Sequence, residues 1–378
     1  MESYLVILIV VILLSMVRFT MVNNKREKLA EVNSCLLPCA FLCVIAGFRA
    51  LDVGKDNYSY TRYFLGMTIN KVYFFDFKKY WIYNLWVYLI RQVTDNVYVF
   101  NFLCALVLYI SLYFFLHRYS SDERVSLILY INLGLFFTSM NQTRQALSLA
   151  VLLWAFHFVV QKKIVQVVIL CLIATFVHNV AIVMLPVFLL FCLIPKITRS
   201  VATFFSIFSV GIVLLYNRLI SLFVFIFPQY KYYLKYSKLF VERKSIFRYA
   251  DFFLALTIQA FLLYGMHITR KKASVSTKRI DSDDIFGNIL VCMNAIYLCM
   301  TYLILNGDIF NRLKSLFAYW VLLVIPYIIK KYFDDNKAIK ALVCVVTIAY
   351  MWRLGVHDGD GVVPYKFYKD IQEILGNM

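Results

Sequence analysis

Charge is what this chain has least of. Only 16% of its 378 residues are Asp, Glu, Lys or Arg, against about 25% in a soluble domain, so a soluble globular protein is excluded. Acidic residues are the scarcer kind: 21 Asp and Glu stand against 39 Lys and Arg, a formal net charge of +18. Proline and glycine are also few, at 6 and 12. No linker rich in either divides the chain and no fixed-period repeat is visible, so it reads as one domain over 1–378. Its nine cysteines fall almost all within apolar runs. No C-x-x-C pair exists among them, which argues against a dithiol or zinc framework. Cys35, Cys39 and Cys43 stack at helical spacing, as small residues do in helix packing. P-loop, G-x-S-x-G and H-E-x-x-H motifs are absent. The D-x-D patterns are Asp281-Ser282-Asp283 and Asp358-Gly359-Asp360. Two carboxylates make a weak cation site, so neither a metal nor another cofactor is expected.

What is present is apolar length. The chain is 62% hydrophobic with a mean hydropathy of +0.74. A span needs about 20 apolar residues. Candidate spans are Tyr4–Val22, Ser34–Phe48, Val97–Leu116, Val125–Met140, Gln142–Val160, Ile164–Val177, Asn179–Ile194, Val201–Tyr216, Tyr249–His267, Ile285–Leu305, Leu316–Ile329 and Ile339–Trp352. Tyr80–Val93 and Leu219–Phe227 are ambiguous, either spans or interfacial helices. The expected fold is all-α: a polytopic integral membrane helical bundle of about 12–14 transmembrane helices. Tyr4–Val22 lacks a basic leader and a small-residue cleavage site and reads as a retained helix. Short loops carrying Lys25 and Arg26, Arg118 and Arg124, Lys162 and Lys163, Lys196 and Arg199, Arg270 to Arg279, and Lys330 and Lys331 are expected in the cytoplasm. Both termini then lie outside. The positive charge suits anionic headgroups, and no nucleic-acid motif accompanies it.

This topology places the unusual polar stretches on the outer face: 49–80, Asn141 to Ser148, His178-Asn179, 217–248, 306–315 and the tail 355–378. Arg144 lies between two apolar runs. An Arg at mid-bilayer costs about 2.5–3.5 kcal/mol on insertion scales. On one continuous helix Asn141, Arg144, Gln145 and Ser148 share a face, which predicts a wet, inward-facing cavity. Arg49 and Arg312 fall on the same side of the membrane. Guanidinium groups bind phosphate oxygens bidentately and stay charged where water is scarce, so three of them suit a lipid-linked phosphate or pyrophosphate. Asp52 and Asp56, flanking Gly54, are candidates for a general base or a sugar-hydroxyl partner. In Tyr230 to Arg248, Lys231, Lys235 and Lys238 line one helix face beside Tyr232, Tyr236, Leu239 and Phe240. That pattern predicts a helix lying on the membrane, as anchor or as cradle for an anionic lipid head or glycan.

An early F-R-x-x-x-V-G-x-D-x-x-x-Y stretch (Arg49, Gly54, Asp56, Tyr60) is followed by N-Q-x-R-Q-A-L (Asn141, Gln142, Arg144, Gln145). Next come F-x-H-N (His178, Asn179), a late Arg312 and a P-Y-K tail (Pro364, Tyr365, Lys366). In this order they resemble the EpsG-like family of Wzy-type polymerases of bacterial capsule, exopolysaccharide and O-antigen synthesis. The resemblance implies a metal-independent membrane glycosyltransferase of GT-C-like architecture in the bacterial plasma (inner) membrane. Its implied partners are undecaprenyl-pyrophosphate-linked donor and acceptor oligosaccharides and membrane lipids, with a chain-length regulator protein as a candidate. Arg144 and Arg49 would hold the pyrophosphate, with Arg312 assisting. Asp56, or His178, would activate the acceptor hydroxyl, while Gln145, Asn141, Tyr60, Asp52 and Lys235 would contact substrate. The competing readings are a flippase or transporter of lipid-linked glycan, an O-antigen ligase-type transferase, and an acyltransferase. A transporter favours internal repeats, a ligase one large outer loop, and an acyltransferase a cytoplasmic His or Asp-His pair; none of these is seen.

Overall fold

The computed structural model describes residues 2–17, 20–21, 30–31, 35–76, 80–226, 246–275, 284–306, 310–357 and 360–367. Nearly all of them are helical, in the all-α pattern of a polytopic membrane protein. The exceptions include a two-residue antiparallel pairing of Thr20–Met21 with Ala30–Glu31. Four helices are long and apolar enough to cross a membrane by themselves, a bent pair makes a fifth candidate, and five shorter apolar helices accompany them. By chain contacts the protein divides into two compact units, Met1–Leu189 with Ala338–Met378, and Leu190–Lys337.

The first unit contains α1 (Glu2–Met16), α2 (Leu36–Gly47), α3 (Asn57–Leu65), α4 (Trp81–Val93), α5 (Val97–Tyr119), α6 (Glu123–Asn132), α7 (Leu135–Asn141), α8 (Thr143–Val160) and α9 (Ile164–Val177). Polar caps set several of the starts. Asn96 accepts hydrogen bonds from the Tyr98 and Val99 amides at the head of α5. Asp122 does the same for Arg124 and Val125 at the head of α6. Each bond satisfies an amide that the helix leaves without a partner. The apolar run Val125–Met140, which reads as one span, is two helices, because Gly134 adopts φ +78° and turns the chain between α6 and α7. A second break at Gln142 separates α7 from α8. The run Tyr80–Val93 supplies α4, which buries Tyr83, Asn84, Val87 and Ile90 and exposes Leu89 and Val93.

A cluster of buried side chains joins α3, α4, α5, α8 and α9: Phe64 stacks on Phe100 with ring centroids 4.6 Å apart, and Val87, Leu147 and Val177 complete it. Helix α2 packs closely on α5 at Gly47, where a Cβ would stand 2.7 Å from the Phe102 Cα. Small residues permit such backbone approach between membrane helices.

The second unit contains α10 (Met184–Leu193), which begins in the first, then α11 (Arg199–Ile226), α12 (Ile246–Val275), α13 (Ile285–Asn306), α14 (Asn311–Ala318) and α15 (Val321–Tyr332); α16 (Lys337–His357) returns the chain to the first unit. The run that begins at Leu219 continues α11 as far as Ile226 rather than forming a separate surface helix. The first part of the predicted basic loop from Arg270 is the end of α12, which runs to Val275. A buried amide chain crosses this unit: the Asn294 amide donates to Gln259 Oε1 at 2.7 Å, and Gln259 Nε2 to Ser206 Oγ at 2.7 Å. Helices α14 and α15 meet at 41°. The predicted amphipathic segment with Lys231, Lys235 and Lys238 lies outside the described residues.

The α2–α5 contact generates a test. Gly47→Leu should push the two helices apart and destabilise the protein by about 1–3 kcal/mol, as overpacking does, read as a lowered Tm in detergent. Gly211 has no atom within 4 Å of its Cβ position, so Gly211→Ala should leave Tm unchanged or slightly raised.

Candidate functional site

Arg144 is the second residue of α8, at the positive end of the helix dipole. A cation there opposes the dipole, so helix stability does not account for it. Its guanidinium instead sits among tyrosine rings, with Cζ 4.6 Å from the Tyr80 centroid, 5.6 Å from Tyr83 and 5.7 Å from Tyr60. Such contacts are worth about 0.5–2 kcal/mol each, depending on desolvation. They leave the positive charge without a carboxylate partner among the described residues, and Nε is buried with no hydrogen bond there.

These groups line a cavity of about 370 Å³ bounded by Ser59, Tyr60, Tyr63, Tyr73, Tyr80, Tyr83, Asn84 and Arg144. Its volume falls in the range of ordinary ligand pockets. Helix α3 supplies Tyr60 and Tyr63 at i and i+3. Tyr80, in the turn before α4, and Tyr83 and Asn84, in its first turn, supply the rest at i, i+3 and i+4. Asn84 is fixed on both ends: Oδ1 accepts from the Tyr63 hydroxyl at 2.8 Å, and Nδ2 donates to the Lys71 carbonyl at 3.1 Å. Tyr80 itself has φ +53°, an uncommon conformation for a bulky residue.

Two polar nodes hold this wall in place. Arg49 is almost fully buried, 3% exposed. It donates to the Ala46 carbonyl, to Asn57 Oδ1 at 3.0 Å and to Thr143 Oγ1 at 3.4 Å. Asn57 begins α3 and Thr143 begins α8, so Arg49 ties the helix carrying Tyr60 to the helix carrying Arg144. It does not line the tyrosine cavity; it borders a much smaller one with Asn101, Cys104, Tyr109 and Thr143.

Asn141 is the second node. Its Oδ1 accepts from the Asp56 amide at 2.9 Å, and its Nδ2 donates to Asp360 Oδ1 at 2.9 Å. Asp360 also takes the Thr138 hydroxyl at 3.0 Å. From there the tail runs along the 50–56 loop: Gly54 N–H donates to the Gly361 carbonyl, Lys55 N–H to that of Asp360, and Ala50 N–H to that of Lys366. Gly54 has φ +97°, and a Cβ on it would lie 3.3 Å from the Asn141 Cα. Glycine meets both demands at once. Tyr4 reaches the same tail through a 2.7 Å hydrogen bond to the Val362 carbonyl.

The sequence-derived candidates divide accordingly. Arg144 and Tyr60 line the cavity. Buried His178 is next to it, its ring 6.0 Å from that of Tyr80. Asp56 caps the approach to α3 with its amide on Asn141, and its side chain is not part of the lining. Asp52 is exposed and paired with Lys366. Gln145 is buried in α8, and the nearby Ser148 donates to the Ala174 carbonyl, joining α8 to α9. Asn141 ends α7, so the single polar face predicted for Asn141, Arg144, Gln145 and Ser148 is split by the break at Gln142. Arg312 is exposed near the start of α14 in the other unit, and Lys235 is outside the described residues. The residues missed by sequence reasoning are Tyr63, Tyr73, Tyr80, Tyr83 and Asn84. Tyr63 stands three positions after Tyr60, and Tyr83 three after Tyr80, a spacing that could have marked both pairs; Tyr73 and Asn84 carry no such signal.

The Asn141–Asp360 contact is testable by exchange. Asn141→Asp sets two carboxylates against each other and should lower Tm. Adding Asp360→Asn should recover much of the loss, because an amide again faces a carboxylate. Additive Tm changes in the double variant would show that the contact does not couple the tail to α7.

A family model described as the EpsG family matches residues 32–367, most of the chain. No curated protein and no solved structure matches it. The matched region contains the 49–60 loop, the start of α8, His178 and the tail that together build this site. With multi-pass apolar helices and a match of that extent, the chain belongs to the EpsG family, whose members are Wzy-type polysaccharide polymerases.

Proposed function

We propose that the protein joins lipid-linked glycans at the outer face of a bacterial plasma membrane. In this reading the donor is a growing glycan on undecaprenyl pyrophosphate, and the acceptor is a repeat unit on the same carrier. The acceptor's terminal hydroxyl oxygen attacks the donor's anomeric carbon. The bond from that carbon to the pyrophosphate oxygen breaks, and the hydroxyl proton passes to a base. Family membership supports the polymerase role in general. The observation that carries the finer reading is Arg144: a fixed cation without a carboxylate partner among the described residues, at a helix N-terminus, inside a tyrosine-lined cavity.

Each part has a physical task. Negative charge develops on the leaving pyrophosphate as its bond to the sugar breaks. A fixed donor aimed at that charge is usually the largest catalytic contribution. The positive end of α8 adds to the attraction, and the guanidinium presents a bidentate fork to phosphate oxygens. Tyrosine faces offer apolar surface to the C–H faces of sugar rings, and their hydroxyls offer hydrogen bonds to sugar oxygens. Arg49 serves as a positioning residue, setting α3 against the start of α8 through Asn57 and Thr143. Asp56 or His178 takes the acceptor proton, and the chemistry proceeds without a metal.

Purified protein and lipid-linked repeat units test the proposal. Wild type should form polymer. Arg144→Ala should lower the rate by about 10²–10³-fold, the usual loss when one such donor is removed. Arg144→Lys should recover part of the rate, since it keeps the charge and loses the fork. In cells Arg144→Ala should leave protein level and lipid-linked repeat units intact while long polymer disappears. Polymer of normal length in that variant would overturn the assignment, and lipid movement without bond formation in wild type would indicate a flippase.

A further inference from the structure

A second cavity lies at the other end of α8. It has a volume of about 340 Å³ and is lined by the last turns of α5 and α8, among them Phe114, Arg118, Tyr119, Trp154, His157 and Gln161. Thirteen residues separate Arg144 from His157, about 20 Å at 1.5 Å per residue, and α8 is long and apolar enough to cross a membrane. The two cavities therefore lie at opposite ends of one candidate span.

The polar floor is built from several side chains. The Tyr119 hydroxyl is 2.7 Å from His157 Nδ1, and the Gln161 amide nitrogen meets His157 Nε2. Trp154 Nε1 donates to Ser111 Oγ at 3.1 Å. Arg118 stands at the mouth. The carboxylates next to it in sequence are already engaged: Glu123 accepts from His117 at 2.8 Å, and Asp122 pairs with Lys340 at 2.6 Å. Arg118 is exposed and has no carboxylate partner among the described residues. Lys163 adds a further exposed cation in the turn after α8, with its Nζ over the Phe158 ring. Phe114 and Trp154 remain 47% and 37% exposed beside the opening, their rings 5.1 Å apart. An exposed Trp near the end of an apolar helix suits the headgroup level of a bilayer.

A basic residue in the last turn of a helix also complements the dipole. That role needs only a charge near the helix end. It does not need a hollow between two helices, a polar floor, or an aromatic pair open to the side.

We propose that this cavity seats the headgroup of an anionic phospholipid, with Arg118 holding its phosphate and an acyl chain lying along Phe114 and Trp154. Charge argues for a lipid phosphate over a neutral headgroup, and the exposed aromatic wall argues for a lipid over a free phosphate ion. Basic pockets between helices at a membrane surface take such headgroups. The site is separate from the tyrosine cavity and does not rest on the reading of that cavity.

Native mass spectrometry of the full-length protein, presented with equimolar phosphatidylglycerol and phosphatidylcholine, tests this. Wild type should retain phosphatidylglycerol at least several-fold over phosphatidylcholine, and millimolar inorganic phosphate should not displace it. Arg118→Gln should abolish that preference, and Lys163→Gln should keep most of it. Equal retention of the two lipids by wild type, an unchanged preference in Arg118→Gln, or equal loss in both variants would overturn the proposal, the last by showing only diffuse surface charge. Displacement by inorganic phosphate would overturn it by identifying an ion site. A measurement on the wild-type cavity guards against misfolding of Arg118→Gln. Phosphatidylglycerol brominated in its acyl chains should quench Trp154 emission, taken as the difference from Trp154→Phe, more than brominated phosphatidylcholine does. Equal quenching by the two would likewise overturn it.

Discussion

A positive charge that cannot be discarded, set on tyrosine faces at the positive end of α8, is the constraint around which the first unit is arranged. Arginine does not deprotonate in proteins, so Arg144 cannot lower its burial cost by becoming neutral. Ring quadrupoles and partial exposure stabilise it in part, and no carboxylate among the described residues does so. A carboxylate would have been the more stabilising neighbour; in the proposed reading the substrate's phosphate takes that place, an exchange of local stability for binding of the kind seen where function and packing conflict.

Holding that charge in place takes an unusual amount of polar structure. Arg49 is itself buried, and its two terminal nitrogens bind Asn57, Thr143 and the Ala46 carbonyl rather than an open cavity, while Nε has no hydrogen-bond partner among the described residues. Asn141 uses both ends of its amide, one on the 50–56 loop and one on the tail. Buried polar networks of this kind rigidify when their members are satisfied. In the proposed reaction a mobile arginine would reorganise as charge develops, whereas one held among rings is already oriented. The tyrosine wall is held in the same way, through Asn84 and its bonds to Tyr63 and Lys71.

Much of this was legible in the sequence. Every apolar run read as a span falls largely on helix, and the stretch around Arg144 stands out because a charged and amide-rich segment between two apolar runs has few structural uses. The family resemblance also came from the sequence, carried by Arg49, Asn141, Arg144, His178 and Arg312. The breaks at Gly134 and Gln142 were not legible. Each interrupts an apolar pattern that periodicity alone extends straight through, and the second sets Asn141 off the helix of Arg144. Arg49 reads by residue type as a phosphate ligand, and burial gives it a different place. Asp360 reads as half of a weak cation motif, whereas its carboxylate serves Asn141 and Thr138 more than 200 positions earlier. Contacts at that separation leave no local trace. The tyrosines are visible as composition, and only the fold shows that α3 and α4 turn their rings toward one point.

The tail gives the protein an order of assembly. The loop at 50–56, the Asn141 amide and the first helix's Tyr4 all bind residues 360–367, and the entire second unit is encoded between these partners. A ribosome feeding this chain into a membrane therefore delivers the arginine and its tyrosines early, while the segment that fastens them arrives last. Until then the amides of Ala50, Gly54 and Lys55 lack the backbone carbonyls they bind. The geometry of the tyrosine pocket is thus withheld from nascent chains and granted to completed ones, so a product truncated anywhere in the second unit would lack the backbone that fastens the 50–56 loop.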